Sequence, residues 1–201
     1  MSVAIVANGP IQDQKKISSR LRAFDRIIAV DGGLIHLQKM GFTPALIVGD
    51  FDSCSKELLQ KYSHIERISL KRDKDQTDLE IALEHTKPEQ NVRVFGGVGG
   101  RLDHTLAHLL LLLRYKNLCF ETEKELLFVV HQTVSLEVNK GQTLSLLPLF
   151  GRAEGITTRN LKWELHNASM DQNYFGISNV CLKNEVEISA ATDNLLCILN
   201  D

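Results

Sequence analysis

Along roughly the first 120 residues, short runs of aliphatic and β-branched residues alternate with longer amphipathic stretches. The runs Val3–Ala7, Ile27–Val30, Ala45–Val48, Ile65–Leu70, Val92–Phe95 and Leu118–Glu121 are nearly all apolar, as in strands covered by helices on both faces. Between them, Gln14–Phe24, Leu34–Met40, Lys56–Tyr62, Asp78–His85 and Thr105–Tyr115 read as helices. Gly41 is placed to end the second in a left-handed cap, and Thr77 with Glu80 fits a capping box at the start of the fourth. This alternation predicts a three-layer α/β/α domain with a mostly parallel sheet over residues 1–124. From Glu125 the texture changes. Strand-like runs such as "ELLFVVHQTVSLEV", "GITTRNLKWEL" and "NEVEISA" follow at short intervals, punctuated by Gly and Asn, and predict a small all-β sandwich or barrel over residues 125–201. Leu126–Val130 fits equally well as a last strand of the first sheet.

Composition narrows the partners. With 201 residues, 43% of them hydrophobic, the chain can bury one large core or two small ones. Its 23 Lys and Arg against 25 Asp and Glu leave a net charge of −2, so bulk electrostatics favour neither nucleic acid nor an anionic membrane surface. Any phosphate must be held locally. The apolar run Leu109–Leu113 is far short of the roughly 20 residues that span a bilayer. "MSVAIVANGP" has no basic segment of a secretory signal, so the expected location is the cytoplasm. Cys54, Cys119, Cys181 and Cys197 form no C-x-x-C pair and read as packed or surface thiols.

The unusual polar residues follow the carboxyl ends of the predicted strands. Asn8-Gly9-Pro10 comes after the first, Asp31-Gly32-Gly33 after the second, Gly49-Asp50-Phe51-Asp52 after the third, 71–78 after the fourth and "GGVGGRLDH" (96–104) after the fifth. Open α/β sheets bind ligands at that edge. Asp50, Asp52, Asp73, Asp75 and Asp78 crowd two of these loops, and like charges so placed repel unless a cation joins them. In an extended segment Asp50 and Asp52 point the same way, and Mg2+, which takes a few carboxylates plus substrate phosphates, is the natural guest, with Asp78 as a third ligand. Compensation of a helix dipole explains Asp78 equally well. The glycine loop brings backbone N–H groups close to an anion, and Arg101 can add a bidentate phosphate contact. It is neither a Walker A loop nor a dinucleotide fingerprint. His104 and His108 have helical spacing but lack the glutamate of H-E-x-x-H, and no G-x-S-x-G elbow exists.

Taken together, "VDGG" (30–33), "GDFDS" (49–53), "KDQTD" (74–78), "GGVGGRLDH", "SLLPL" (145–149), "LKWEL" (161–165) and "GISN" (176–179) resemble the thiamine pyrophosphokinases over nearly the whole chain. The resemblance implies an ATP-binding catalytic α/β domain, a β domain that helps to bind thiamine, and a homodimer. It implies transfer of the pyrophosphoryl group of ATP to the hydroxyl of thiamine, with Asp50, Asp52 and Asp78 on Mg2+. Asp31, Gly32, Gly33, Lys74, Thr77, Arg101 and Asp103 would surround the nucleotide, and Asp75 or Asp78 would accept the alcohol proton. Trp163, Ser178 and Asn179 would contact thiamine, from the same or the partner subunit. A lone Trp in a β domain is also commonly core. Asn160, His108 and Val180 depart from the family pattern, which usually has Gly, Asn and an acidic residue there. Three rivals remain: a pyrophosphokinase of another primary alcohol such as a hydroxymethylpterin, a non-catalytic Mg-nucleotide-binding regulatory module, and a metal-dependent phosphohydrolase. The phosphohydrolase wants His or Asn metal ligands that the loops do not supply.

Overall fold

The structure, a computed structural model, describes residues 1–70, 75–87, 90–149 and 151–201. Its contacts group into two units, Met1–Leu111 with Asn117–Glu123, and Leu112–Lys116 with Lys124–Asp201. In the first, strands and helices alternate: β1 (Ser2–Val6), α1 (Gln14–Leu21), β2 (Arg26–Val30), α2 (Gly33–Met40), β3 (Leu46–Gly49), α3 (Lys56–Lys61), β4 (Arg67–Ser69), α4 (Asp78–Glu84), β5 (Asn91–Phe95), α5 (Leu102–Arg114) and β6 (Leu118–Glu121). Every strand pair in this unit is parallel and the order is β6-β5-β1-β2-β3-β4. Because side chains alternate along a strand, Ala4, Val6, Ala29, Ile47 and Phe95 share a core with Ile17 and Leu21 of α1, Leu34 and Leu37 of α2 and Leu58 of α3. The intervening Val3, Ile5, Ile28, Val30, Val48 and Val94 are equally buried on the other face, and α4 packs against β2 and β3 through a helix that buries Leu79, Ala82 and Leu83. The chain starts in the middle of the sheet, winds outward to β4, and returns to β5 on the far side of β1. That reversal creates a crevice between the ends of β1 and β5.

Local signals act as read. Asp13 and Ser55 cap α1 and α3 through their side chains, and Gly41 ends α2 with φ 76°. Thr77 Oγ1 accepts from the Glu80 amide at 3.2 Å, while Glu80 Oε2 accepts from the Thr77 amide at 3.0 Å, the reciprocal pair expected. Helix α5 starts three residues before the expected Thr105, because the Thr105 amide already bonds back to the Arg101 carbonyl at 3.0 Å.

The second unit contains β7 (Glu125–Val130), β8 (Thr133–Glu137), β9 (Thr143–Pro148), β10 (Ala153–Arg159), β11 (Ala168–Met170), β12 (Gly176–Val180), β13 (Glu185–Ser189) and β14 (Leu195–Asn200). All its pairings are antiparallel: β12-β9-β14-β7 in one sheet and β11-β10-β13-β8 in the other. Leu144, Leu146, Leu195 and Cys197 of the one and Ile156, Val186 and Ile188 of the other are fully buried, the pattern of a sandwich. No helix of the described residues is long and apolar enough to cross a membrane.

Candidate active site

A cavity of about 420 Å³ opens in the first unit where β1 and β5 end side by side. Its walls are Asn8, Gly9 and Pro10 after β1, Asp31 after β2, Thr77 and Asp78 at the start of α4, and Gly96, Gly97, Gly100 and Arg101 before α5. The floor admits little but backbone. Gly9 donates to the Gly96 carbonyl at 2.8 Å, and a Cβ on Gly9 would lie 2.3 Å from that oxygen. His36 Nε2 holds the Gly9 carbonyl at 2.9 Å from α2, so the Asn8–Pro10 loop is fixed from two sides. His108, on α5, meets the Gly97 carbonyl through Nδ1 at 2.5 Å and stacks on Phe120, with centroids 5.9 Å apart and rings 8° from parallel. Burial holds both histidines below their ordinary pKa.

Asp31 stands with φ 47°, in a turn whose amide bonds to the Val48 carbonyl at 2.9 Å. Its Oδ1 is buried without a hydrogen-bond partner and lies where a Cβ on Gly49 would come within 1.9 Å, so a glycine at 49 makes room for the carboxylate. Burial pushes the Asp31 carboxyl up to about 7, assisted by Asp78 beside it and by the charge of Asp50; the Asp50 amide pulls the other way. The turn after β3 and the start of α4 therefore approach one another with Asp31 between them. Residues 50–52 are not extended. Phe51 takes φ 63°, and the Asp52 amide turns back to Asp50 Oδ1 at 3.0 Å. The expectation that Asp50 and Asp52 point together from a straight strand is replaced by a tight turn, the usual use of an Asp that hydrogen-bonds two residues ahead.

The remaining nucleotide candidates fall around this cavity in different ways. Gly32 and Gly33 sit behind it, where a Cβ would meet Asn8 Oδ1 or the Val6 carbonyl at 1.9 Å in each case. Thr77 lines the wall, but its hydroxyl already serves the capping box. Arg101 is paired with Asp103 through Nε at 3.1 Å and its terminal nitrogen at 2.6 Å; both are exposed, and the pair holds the Asp103 carboxyl down to about 2. Asp75 is exposed just before α4, and Asp73 and Lys74 lie outside the described residues. Among the described residues, no three His, Cys, Asp or Glu side chains close into a ready-made metal site. The donor set nevertheless suits Mg2+: hard carboxylate oxygens, one of them buried and unbonded, in a group whose mutual repulsion a cation relieves.

A second cleft, of about 310 Å³, lies in the second unit. Trp163, Leu165, Met170, Tyr174, Phe175, Ile177 and Leu146 line it with Asn179. Trp163 is 56% exposed, which overturns the core reading of this residue. Lys162 Nζ sits 4.5 Å from the centre of its ring. Ser178 has φ 57° and donates its amide to Ser145 Oγ at 3.0 Å, beside a register shift between Gly176 and Asn179. Sequence reasoning missed Tyr174 and Phe175 here; in the first cavity it placed Asn8 at the ligand-binding edge without giving that side chain a role. His108 was weighed as a metal ligand and as a departure from the family pattern, not as a support for the glycine loop.

Comparison with known proteins finds two family models that match successive parts of the chain. The family model described as thiamin pyrophosphokinase, catalytic domain, matches residues 18–123, and the one described as thiamin pyrophosphokinase, vitamin B1 binding domain, matches residues 131–195. A thiamine pyrophosphokinase of Bacillus subtilis (strain 168) is 26% identical over 204 residues, covering 95% of this chain and 92% of that protein. Thiamine pyrophosphokinase 1 of rice (Oryza sativa subsp. japonica) is 29% identical over 175 residues; the match takes in 77% of this chain and 66% of the rice protein. The crystal structure of thiamin pyrophosphokinase from Geobacillus thermodenitrificans superposes with a TM-score of 0.83 at 27% identity, over 100% of this chain and 97% of the other. The Bacillus subtilis crystal structure shares the fold, with a TM-score of 0.85 at 22% identity, over 100% and 99% of the two chains. A vitamin B1 domain does not favour the pterin alternative. With a catalytic-domain match across more than half its length and a B1-domain match after it, the chain belongs to the thiamin pyrophosphokinase family.

Proposed function

We propose that this protein transfers the pyrophosphoryl group of ATP to the hydroxyl of thiamine, giving thiamine diphosphate and AMP. The observation that carries the reading is that Asp31 and Asp78 line a glycine-walled cavity on the sheet's reversal point, with Asp50 close enough to act on Asp31, in a chain whose second unit carries an exposed aromatic cleft. The alcohol oxygen attacks the β-phosphorus, the bond from that phosphorus to the α,β-bridging oxygen breaks, and AMP leaves with that oxygen. Asp75 or Asp78 takes the alcohol proton.

Asp50, Asp52 and Asp78 are the residues assigned to Mg2+, and the ion, when bound, supplies positive charge to the phosphate oxygens. The N–H groups of the 96–100 loop and Arg101 hold the phosphates. Arg101 swings from Asp103 at little cost, because water screens an exposed ion pair and leaves it worth little. Asp31, Gly32, Gly33, Lys74, Thr77 and Asp103 complete the nucleotide's surroundings. Catalysis is mostly positioning and charge stabilisation, as in other phosphoryl transfers. Trp163 offers thiamine a flat face, with Ser178 and Asn179 next to it.

The protein acts as a homodimer in the cytoplasm. In support, Leu102, Leu106 and Leu110 of α5 are 72%, 51% and 41% exposed at a spacing of four, an apolar stripe that water alone does not favour. All four cysteines are free thiols, in keeping with a reducing compartment. The decisive assay incubates the protein with Mg·ATP and thiamine and identifies both products. AMP with thiamine diphosphate is the expected result. ADP would mean simple kinase chemistry, phosphate alone hydrolysis, and no turnover a regulatory nucleotide-binding module. Sedimentation velocity reads the dimer directly.

A further inference from the structure

We propose that Asn179 is a positioning residue that acts through Trp163, holding the aromatic platform in its binding pose; this rests on the assignment of the second cleft to thiamine. The geometry is a brace. Asn179 Oδ1 accepts the Trp163 amide at 3.1 Å, and Asn179 Nδ2 donates to the Trp163 carbonyl at 2.7 Å. Oδ1 also accepts the Val180 amide at 2.9 Å. A carboxamide offers two acceptor positions and two N–H donors, so both acceptors and one donor are already committed within the protein, and a single N–H is left for any ligand.

The brace exists because the backbone ladder stops there. Leu161 bridges Cys181, and the Lys162 amide reaches the Val180 carbonyl at 2.9 Å, so the segment before Trp163 runs antiparallel to the end of β12. The register shift between Gly176 and Asn179, with the left-handed Ser178, then breaks the regular pairing. At the next rung the Asn179 side chain takes the place of a peptide unit, giving one acceptor and one donor to the two polar groups of Trp163, as a hydrogen-bonded antiparallel pair would. Trp163 lies outside every strand and is 56% exposed, so burial does little to order it. Lys162 Nζ lies 4.5 Å from the centre of the ring, and the ring borders the cleft that would take a planar ligand. A ring ordered before binding spares the substrate the entropy of ordering it.

Trp163 is the single tryptophan of the chain, so its emission reports this site alone. In ligand-free Asn179→Ala, Trp163 anisotropy should fall and acrylamide quenching rise. Thiamine KM should rise about three- to tenfold, the size expected for ordering one side chain on binding, with ATP KM within about twofold. The discriminating measurement is a double-mutant cycle. If Asn179 works through the ring, adding Asn179→Ala to Trp163→Ala should change thiamine KM by less than about twofold; full multiplication of the two single effects would mean direct contact with thiamine and overturn the proposal. Asn179→Asp keeps the acceptor and loses the donor. It should give intermediate anisotropy and KM, and it serves where the alanine variant does not fold. Unchanged anisotropy in the variants that fold overturns the brace. If the wild-type protein turns over no thiamine, the functional reading fails, while the ligand-free anisotropy still decides whether Asn179 holds Trp163.

Discussion

The cavity of the first unit is made of backbone and carboxylates, whereas the cleft of the second is made of exposed aromatic and aliphatic side chains. Each material carries its own cost. Around the cavity the cost is electrostatic: burial and like charge push Asp31 up to about 7, and an unbonded carboxylate oxygen is kept from water. Around the cleft the cost is hydration, with Trp163, Tyr174, Phe175 and Ile177 each more than 40% exposed. Carboxylates beside close-set backbone would favour a polyphosphate with its metal, and exposed rings a flat heterocycle, so on the proposed function the two sites would take different substrates. The tolerances differ as well. The cavity has close backbone contacts that only glycine allows; the cleft is bounded by side chains that can give way.

This contrast can be broken by substitution. The largest effect is expected for Asp50→Ala or Asp78→Asn, which should lower kcat on the order of 10²-fold or more with the far-UV circular dichroism unchanged; near-normal rates would remove these carboxylates from the reaction. Next, Trp163→Ala should raise thiamine KM roughly 10- to 100-fold, in line with about 1–3 kcal/mol for a stacked base, and leave ATP KM nearly untouched. Equal damage to both constants would mean that the two sites are not separate in function.

Stability offers a gentler comparison. Gly33→Ala places a methyl 1.9 Å from the Val6 carbonyl and should cost about 1–3 kcal/mol or more. Gly176→Ala, in the cleft, meets nothing closer than Met170 Cε at 3.4 Å and should be close to neutral in thermal unfolding. Thr77→Ala removes half of a capping box and should cost about 1 kcal/mol, a fall in Tm of about 2–4 °C.

Smallest is a pH effect on the cavity's floor. Burial keeps His108 below its ordinary pKa; nearby His104 adds to this, while the Gly97 carbonyl and Glu80 oppose it. Below about pH 6.5 the unfolded chain therefore takes up a proton more readily than the folded one. The contribution is fully present above that pH and is lost as the pH falls. His108→Gln should flatten the decline of Tm on the acid side, and an unchanged slope would place the acid sensitivity elsewhere.

Much of the fold was legible because burial leaves its mark on composition. The strands around β1 read as uninterrupted apolar runs since helices cover both faces, and antiparallel β structure was legible from the closer spacing of runs after residue 124. Caps were legible too, since Thr77, Glu80 and Gly41 act within one turn of where they stand. The turn at 50–52 was misread as extended because its shape comes from a left-handed Phe51, a residue type that seldom adopts that conformation. Tyr174 and Phe175 were passed over because nothing local marks an aromatic residue as exposed.

What the sequence determined by itself was therefore the succession of elements, the polar residues at their ends and the family to which they belong, all of which depend on neighbours a few positions away. The tertiary structure alone decided that Asp31, Asp50 and Asp78 share one electrostatic environment, that Thr77 spends its hydroxyl on a cap, and that Asn179 grips the backbone of Trp163. The reason is physical. Charge coupling and hydrogen bonding depend on distances in space, and those distances are set only when strands far apart in the chain are packed side by side.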